Sequence, residues 1–337
     1  MKTEYTTLVR DFLRQVNYET PPHRYDFTLE SRVQAYFATQ DFPPKLVERL
    51  RPIIKWSTGI ALTAYPWVSP SIQRVIAIFT AYLIAIDDLA GEMLNDLKQF
   101  THRLFQARPS ENQLLRSLVR FLHEGVCSAY GQFAKDMMLK GTLDFITACY
   151  VEVELDGVRA LSIPKDAQGF PYYFRLKNGI AEPYALMAFP PDLYPEDTHF
   201  TVYLVAIPEL TYFFNAVNDI FSFYKESIVG TETGTFVSNL AIVHAVSPLR
   251  ALEHLCQEAI RAIRRVRSIL SVSPRMQQDI EQLFHGYILY HLSQSRYRLT
   301  ELEIPEAVEA RDLMKATFFQ GHCDHWEIHT VSSDDPP

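Results

Sequence analysis

The segment NDIFSFYKE, residues 218–226, carries the strongest chemical signal in the chain. On a helix, Asn218, Ser222 and Glu226 stand at i, i+4 and i+8, so their side chains emerge along one stripe. Lys225, at i+7, shares it. An amide oxygen, a hydroxyl and a carboxylate form a hard-oxygen set suited to Mg²⁺, with a cation beside it for an anionic substrate. Among the three ligands Glu226 alone is charged, so the set needs a polyanion such as diphosphate to supply further oxygens. The preceding PELTYFFNAV is too apolar for a solvated surface helix, which argues against a merely polar face. A second acidic group, AIDDLAGE at 85–92, sets Asp87, Asp88 and then Glu92 at the end of an apolar stretch. Carboxylates there meet the negative end of a helix macrodipole, an unfavourable place unless a cation offsets them. The plainer alternative is a helix end surfacing into water.

Two further groups carry positive charge. In RLKNG, 175–179, followed by Glu182 and Pro183, Arg175 is placed to hold a diphosphate oxygen and Gly179 to break the helix. Taken alone, Arg175 reads as a surface arginine. Arg296 and Tyr297 close the aromatic-rich stretch FHGYILYHLSQSRYRL, where an arginine also suits the C-terminal end of a helix dipole. His322, Cys323, His325 and His329 look like a metal cluster but lie in a polar tail without ordered spacing, so no metal is expected there. Arg261, Arg264, Arg265 and Arg267 read as a solvated helix face.

The elements that must position these residues are helical. Apolar residues recur at three- and four-residue intervals over 43–64, 70–88, 110–139, 142–161, 209–228, 249–271 and 275–301. Three V-S-P tripeptides, ending at Pro70, Pro248 and Pro274, each precede such a stretch and place Ser at the N-cap and Pro at the first helical position. VEVEL at 151–155 is the best strand candidate, inside a longer helical context. The segment 163–200 is interrupted by prolines, and helices broken inside a bundle leave backbone groups that must face a ligand, water or another chain segment. The expectation is an all-α, single-domain bundle over 1–304 with a central apolar cavity, then a polar tail over 305–337 whose end, 331–337, is disordered.

Of the 337 residues, 47% are hydrophobic, enough for a sizeable core. The formal charge of −8 disfavours a nucleic-acid surface. Twelve glycines without a G-x-G-x-x-G or P-loop spacing disfavour a glycine-rich nucleotide cradle. The apolar run Val75 to Ile86 is too short to span a bilayer, and four dispersed cysteines fit reduced thiols. A soluble, cytoplasmic protein without a membrane span is expected.

These motifs together resemble the class I terpene cyclases, and the local sequence is most similar to the fungal trichodiene synthase family. The resemblance rests on Asp87 and Asp88 with a later acid, N-D-x-x-S-F-Y-K-E at 218–226, Arg175 before it and Arg296-Tyr297 after it, and spans about residues 60–300. It implies the class I terpenoid synthase bundle, farnesyl diphosphate as substrate, three Mg²⁺ ions, and a homodimer. Asp87 then matches the acidic-motif ligand, and Asn218, Ser222 and Glu226 match the second metal site. Arg175, Lys225, Arg296 and Tyr297 match the diphosphate set, while Arg175, Asn178 and Gly179 match the sensor, linker and helix-break effector of related cyclases. One departure stands out: the fifth position of the aspartate motif is Gly91, with the acid one later at Glu92, so Asp88 and Glu92 are weaker ligand candidates than Asp87. A cation produced by diphosphate departure needs an apolar, water-free pocket with aromatic faces. Phe79, Phe214 and Tyr290, on the stripes of Asp87, Asn218 and Tyr297, are the candidates. The expected function is a Mg²⁺-dependent sesquiterpene cyclase. The alternatives are a prenyltransferase, expected to carry a second aspartate-rich motif, and a non-catalytic isoprenoid-binding protein of the same fold.

Overall fold

The structure, a computed structural model, describes residues 1–157 and 161–331, except the side chains of 156–157 and 319–331. The N-terminal half comprises α1 (Lys2–Gln15), α2 (Phe27–Ala38), α3 (Pro44–Ala64), α4 (Pro70–Leu89), α5 (Leu94–Phe105), α6 (Gln113–Phe121), a single turn α7 (Cys127–Ala129) and α8 (Gln132–Gly157). There follow α9 (Phe170–Asn178), α10 (Ala181–Met187), α11 (Glu196–Tyr203), α12 (Ile207–Phe223), α13 (Phe236–His244), α14 (Pro248–Ile269), α15 (Pro274–Ser293) and α16 (Pro305–Val331). Among the described residues no strand forms, and the bundle is all-α as expected.

The serine-proline signals work as anticipated. Ser69, Ser247 and Ser273 each hold the N-cap position with proline just inside the helix. Of the three hydroxyls, that of Ser247 accepts the Arg250 amide, while Ser69 pairs with Ser71 instead. VEVEL is helical, within α8. Its alternation is overruled because Phe145, Ile146 and Cys149, just upstream, bury a helix-spaced face. The predicted helix 110–139 is interrupted by a π-helical turn at Leu122–Val126, and Tyr130 is extended. α8 then starts afresh, its first amides from Phe133 and Ala134 donating to the Glu196 carboxylate at 3.1 Å each.

α4 and α12 form the centre. α4 packs on α3, α2, α6 and α8, and Phe79, Tyr82, Ala85 and Ile86 are wholly buried. α12 lies among α10, α13, α14 and α15, with Phe213, Val217, Ile220 and Phe221 wholly buried. The helical stretch Glu196–Val229 is long and apolar enough to cross a membrane, with a mean hydropathy of 1.3 over its best window. Its apolarity is that of a core helix, since more than half of that window is already buried against the bundle. α3 and α15 approach backbone to backbone at Gly286, where any Cβ would overlap the Thr63 carbonyl.

Two expectations are corrected. The segment after Ile304 is no free tail: α16 packs on α15, burying Ala307 and Ala310 completely, and Phe318 meets the rings of Tyr25 and Phe27. Residues 332–337 and the side chains of His322, Cys323, His325 and His329 lie outside the described residues. The arginines of α14 also do more than meet water. Arg265 ties α14 to Glu209 of α12, and Arg267 holds Glu281 of α15 through two nitrogens at 2.7 and 2.8 Å.

Candidate active site

The chemical residues come from the C-terminal ends of α4, α9 and α12 and from the turn after α15. α12 delivers Asn218 and Ser222 and then widens into a π-helical turn, Tyr224–Val229, that carries Lys225 and Glu226. On an α-helix, at about 100° per residue, the stripe slants so that Glu226 stands about 40° round from Ser222 and about 80° from Asn218. The wider turn advances less and brings Glu226 back over Ser222. Ser222 Oγ donates to Glu226 Oε2 at 2.9 Å, and Lys225 Nζ to Glu226 Oε1 at 2.7 Å.

Asn218 is fully engaged. Its Oδ1 accepts from Arg175 Nη2 at 3.1 Å, and its Nδ2 faces His291 Nε2 at 3.4 Å and Tyr297 Oη at 3.5 Å. His291 is wholly buried, and its Nδ1 donates to the Tyr287 carbonyl at 2.8 Å, leaving Nε2 as the acceptor. Burial pulls its pKa down to about 3, so the ring is neutral. Arg175 Nε also donates to Asp219 Oδ2 at 2.9 Å. Burial pushes the Asp219 carboxyl up to about 6, with Arg175 pulling the other way.

Arg175 reaches Asn178 as well, through Nη1 to Oδ1 at 3.3 Å. The chain breaks directly after, at Gly179 and Ile180. Ile180 is left-handed (φ 48°), and a Cβ on Gly179 would overlap Asn215 Oδ1. That Asn215 oxygen is buried and without a hydrogen-bond donor. On the other side of Asn178, Nδ2 donates to Glu152 Oε1 at 2.6 Å. Burial raises the Glu152 carboxyl to about 7.

Asp87 faces the same space. Its carboxylate is open to water yet walled by protein on most sides, the combination that a concave surface produces. Burial raises its pKa and the Asp88 charge adds to this, while Arg296, Lys225 and Glu226 all lie within electrostatic reach. The Arg296 guanidinium sits 5.4 Å from the Trp56 ring centre and 5.8 Å from that of Tyr297, with Asp87 and Asp88 both in its field. Glu92 turns away. It lies on a short 3₁₀ turn, Ala90–Met93, and pairs at the surface with Arg49 of α3 at 2.7 Å.

Beneath the polar residues lies a connected set of rings. Phe79 meets Tyr184 edge-on at 6.3 Å, Tyr184 meets Phe214 at 5.9 Å, and Phe214 meets Tyr287 at 4.7 Å. Tyr287 in turn touches His291, whose ring lies tilted 4.6 Å from that of Tyr297, and Tyr290 lies 6.3 Å from Tyr297. All three predicted aromatics therefore belong to one wall. An open groove of about 350 Å³ lies elsewhere, between α13 and α14. It is lined by charged Arg250, Glu253 and Arg261 with His244 and His254, lies open to water, and shares no residue with the site.

The donor set fits a hard divalent ion. Amide, hydroxyl and carboxylate oxygens from Asn218, Ser222 and Glu226 are hard donors, and the Ser222 hydroxyl already meets the Glu226 carboxylate. Among the described residues no three His, Cys, Asp or Glu side chains cluster as an all-protein cage. The predicted residues other than Glu92 thus converge, while Asp219, Glu152, His291 and Asn215 were not foreseen. Asp219 stood inside the N-D-x-x-S motif and was the one with a readable signal.

A family model described as Trichodiene synthase (TRI5) matches residues 27–330. The chain belongs to the trichodiene synthase family. Relatives within reach include an (E)-beta farnesene synthase of Metarhizium brunneum, 38% identical over 92% of this chain and 93% of that protein. An alpha-cuprenene synthase of Coprinopsis cinerea is 28% identical, over 89% and 90% of the two chains. The trichodiene synthase of Trichoderma arundinaceum is 27% identical over 78% and 66%. As a member of this family the chain is a terpene synthase. Its fold matches the crystal structure of linalool/nerolidol synthase from Streptomyces clavuligerus, with a TM-score of 0.59, 13% identity, and coverage of 81% of this chain and 99% of that one.

Proposed function

We propose that this terpene synthase is a Mg²⁺-dependent sesquiterpene cyclase acting on farnesyl diphosphate. The observation that carries the reading is the convergence of Asp87, the Asn218-Ser222-Glu226 stripe, Lys225, Arg175 and Arg296 on one concave space above an aromatic wall. Asp87 on one side and Asn218, Ser222 and Glu226 on the other would hold Mg²⁺. The ion, when bound, supplies Lewis-acid stabilisation of charge on the departing diphosphate. Arg175, Lys225, Arg296 and Tyr297 would bind the diphosphate by charge-assisted hydrogen bonds, which grow stronger as the carbon–oxygen bond breaks. Phe79, Phe214 and Tyr290 then present ring faces that attract the allylic cation without capturing it, and their bulk keeps water out.

The relative at 38% identity favours a second reading of the last step. Farnesene is an open-chain C15 hydrocarbon, so proton loss without ring closure is the alternative to cyclisation. Incubation of the protein with C10, C15 and C20 diphosphates and Mg²⁺, with volatile products analysed by gas chromatography and mass spectrometry, tests both. A cyclic C15 product is expected from the C15 substrate alone. An open-chain C15 product would keep the synthase and discard the cyclase, and no product from any substrate would discard the reading.

A further inference from the structure

We propose that Glu152 is a positioning residue for the diphosphate-sensing arginine: it fixes the Asn178 amide so that its oxygen faces Arg175. The inference rests on the functional reading above and extends it from α9 to α8. A primary amide has two unlike ends, told apart by the partners each one meets. Here those neighbours leave one choice. A guanidinium, all donors, stands on one side of Asn178, and a carboxylate, an acceptor when ionised, stands on the other. Oxygen toward Arg175 and nitrogen toward Glu152 makes both contacts attractive. The reverse sets donor against donor and acceptor against acceptor.

The contact to Glu152 is the shorter of the two, 2.6 Å against 3.3 Å, so it is the anchor. From there the bonded path runs without a gap through Asn178 and Arg175 to Asn218 and Asp219 on α12. Asn178 ends α9, one residue before the break at Gly179, so its side chain has no helical neighbour beyond to hold it. Without Glu152 the amide loses its anchor, the guanidinium loses its stop, and Arg175 can settle on Asp219 alone. A bound diphosphate would then find it less often in the right place. Glu152 touches no substrate in this scheme; it acts through Asn178.

Complementary substitution tests this. In Asn178→Asp, assayed above about pH 8 so that Glu152 is ionised, a carboxylate faces the Glu152 carboxylate, and turnover of farnesyl diphosphate is expected to fall about 30-fold, mostly in kcat, from the loss of one charged hydrogen bond and a new repulsion. Adding Glu152→Gln restores a donor opposite the introduced carboxylate, and the double variant is expected to return to within about five-fold of wild type. The same fall and recovery is expected in the melting-temperature increase that Mg²⁺ with inorganic pyrophosphate gives, a readout independent of catalysis. If Asn178→Asp does not fold, Glu152→Gln and Glu152→Ala serve instead: the first, which keeps an acceptor, should retain the pyrophosphate response and the second should lose most of it. A double variant no better than Asn178→Asp, or equal behaviour of Glu152→Gln and Glu152→Ala, overturns the assignment. A wild type with neither turnover nor pyrophosphate response removes the functional reading and this inference together, whereas an active wild type with an unrescued double variant removes this inference only.

Discussion

At the scale of single residues, the acidic motif divides into unequal parts. Asp87 stands in the field of Arg296 and Lys225, whereas Glu92 is spent on a surface pair with Arg49. Asp87→Ala is expected to lower turnover by several orders of magnitude, as loss of a metal ligand does. Glu92→Ala should leave turnover within about two-fold and cost at most about 1 kcal/mol, the worth of an exposed ion pair. Steady-state kinetics with farnesyl diphosphate and a melting curve check both, and a large effect of Glu92→Ala would return that residue to the site. The residue types made Asp87, Asn218, Ser222 and Glu226 legible because carboxylates and amides are rare within apolar helices. Glu92 was misleading for a geometric reason: a 3₁₀ turn after Leu89 changes the direction in which the next side chains leave. Glu152 was hidden by company, since in VEVEL it looks like one acid of an alternating strand.

At the scale of elements, the break between α9 and α10 is held by shape. Asn215 Oδ1 presses on Gly179 without receiving a hydrogen bond, so it acts there as a wedge. Gly179→Ala should force the two helices apart at the break and lower turnover at least about 100-fold, the scale of a misplacement near 1 Å. Asn215→Ala, which deletes a buried oxygen that had no donor, should cost less stability than an ordinary buried amide. Combined with Gly179→Ala it should recover the melting temperature by making room for the added methyl. Chemical denaturation of the four proteins decides it: strict additivity of the two substitutions would mean that the residues do not press on each other. The helical pattern announced α3, α4 and α14 to within two residues, but it ran the expected 275–301 past the end of α15 at Ser293 and 209–228 past the end of α12 at Phe223. It could not announce the π-helical turn at Tyr224–Val229, because one extra residue in a turn leaves the apolar spacing almost unchanged over so short a span. α16 was missed because its buried face opens on Ala307 and Ala310, small residues that give little periodic signal.

At the scale of the whole molecule, one buried ring shapes the response to acid. His291 is neutral when folded, with a pKa near 3, and ordinary when unfolded. Between about pH 6.5 and 3 the unfolded chain therefore binds the extra proton, and stability falls as pH falls through that window. At pH 5 the loss from this residue is about 2 kcal/mol relative to pH 7 and above. Asp219 and Glu152, whose raised pKa values near 6 and 7 let the folded state keep protons, give the opposite slope between about pH 4 and 7. Comparison of wild type with His291→Asn in the metal-free protein isolates the histidine. The variant should lose less stability between pH 7 and 5 than wild type does, and parallel profiles would contradict a neutral buried ring.

The close approach at Gly286 has a mechanical consequence. Two helices whose backbones touch have no side-chain layer to shear, so α3 and α15 form a stiff plate behind the aromatic wall. That plate carries Trp56, Tyr287, Tyr290 and His291. Whatever compliance the substrate needs must come from the other jaw: the break at Gly179 and Ile180, the π-helical turn, and the short turns around Arg296 that leave α15. Any opening of the site is then a matter of one yielding side working against a fixed one.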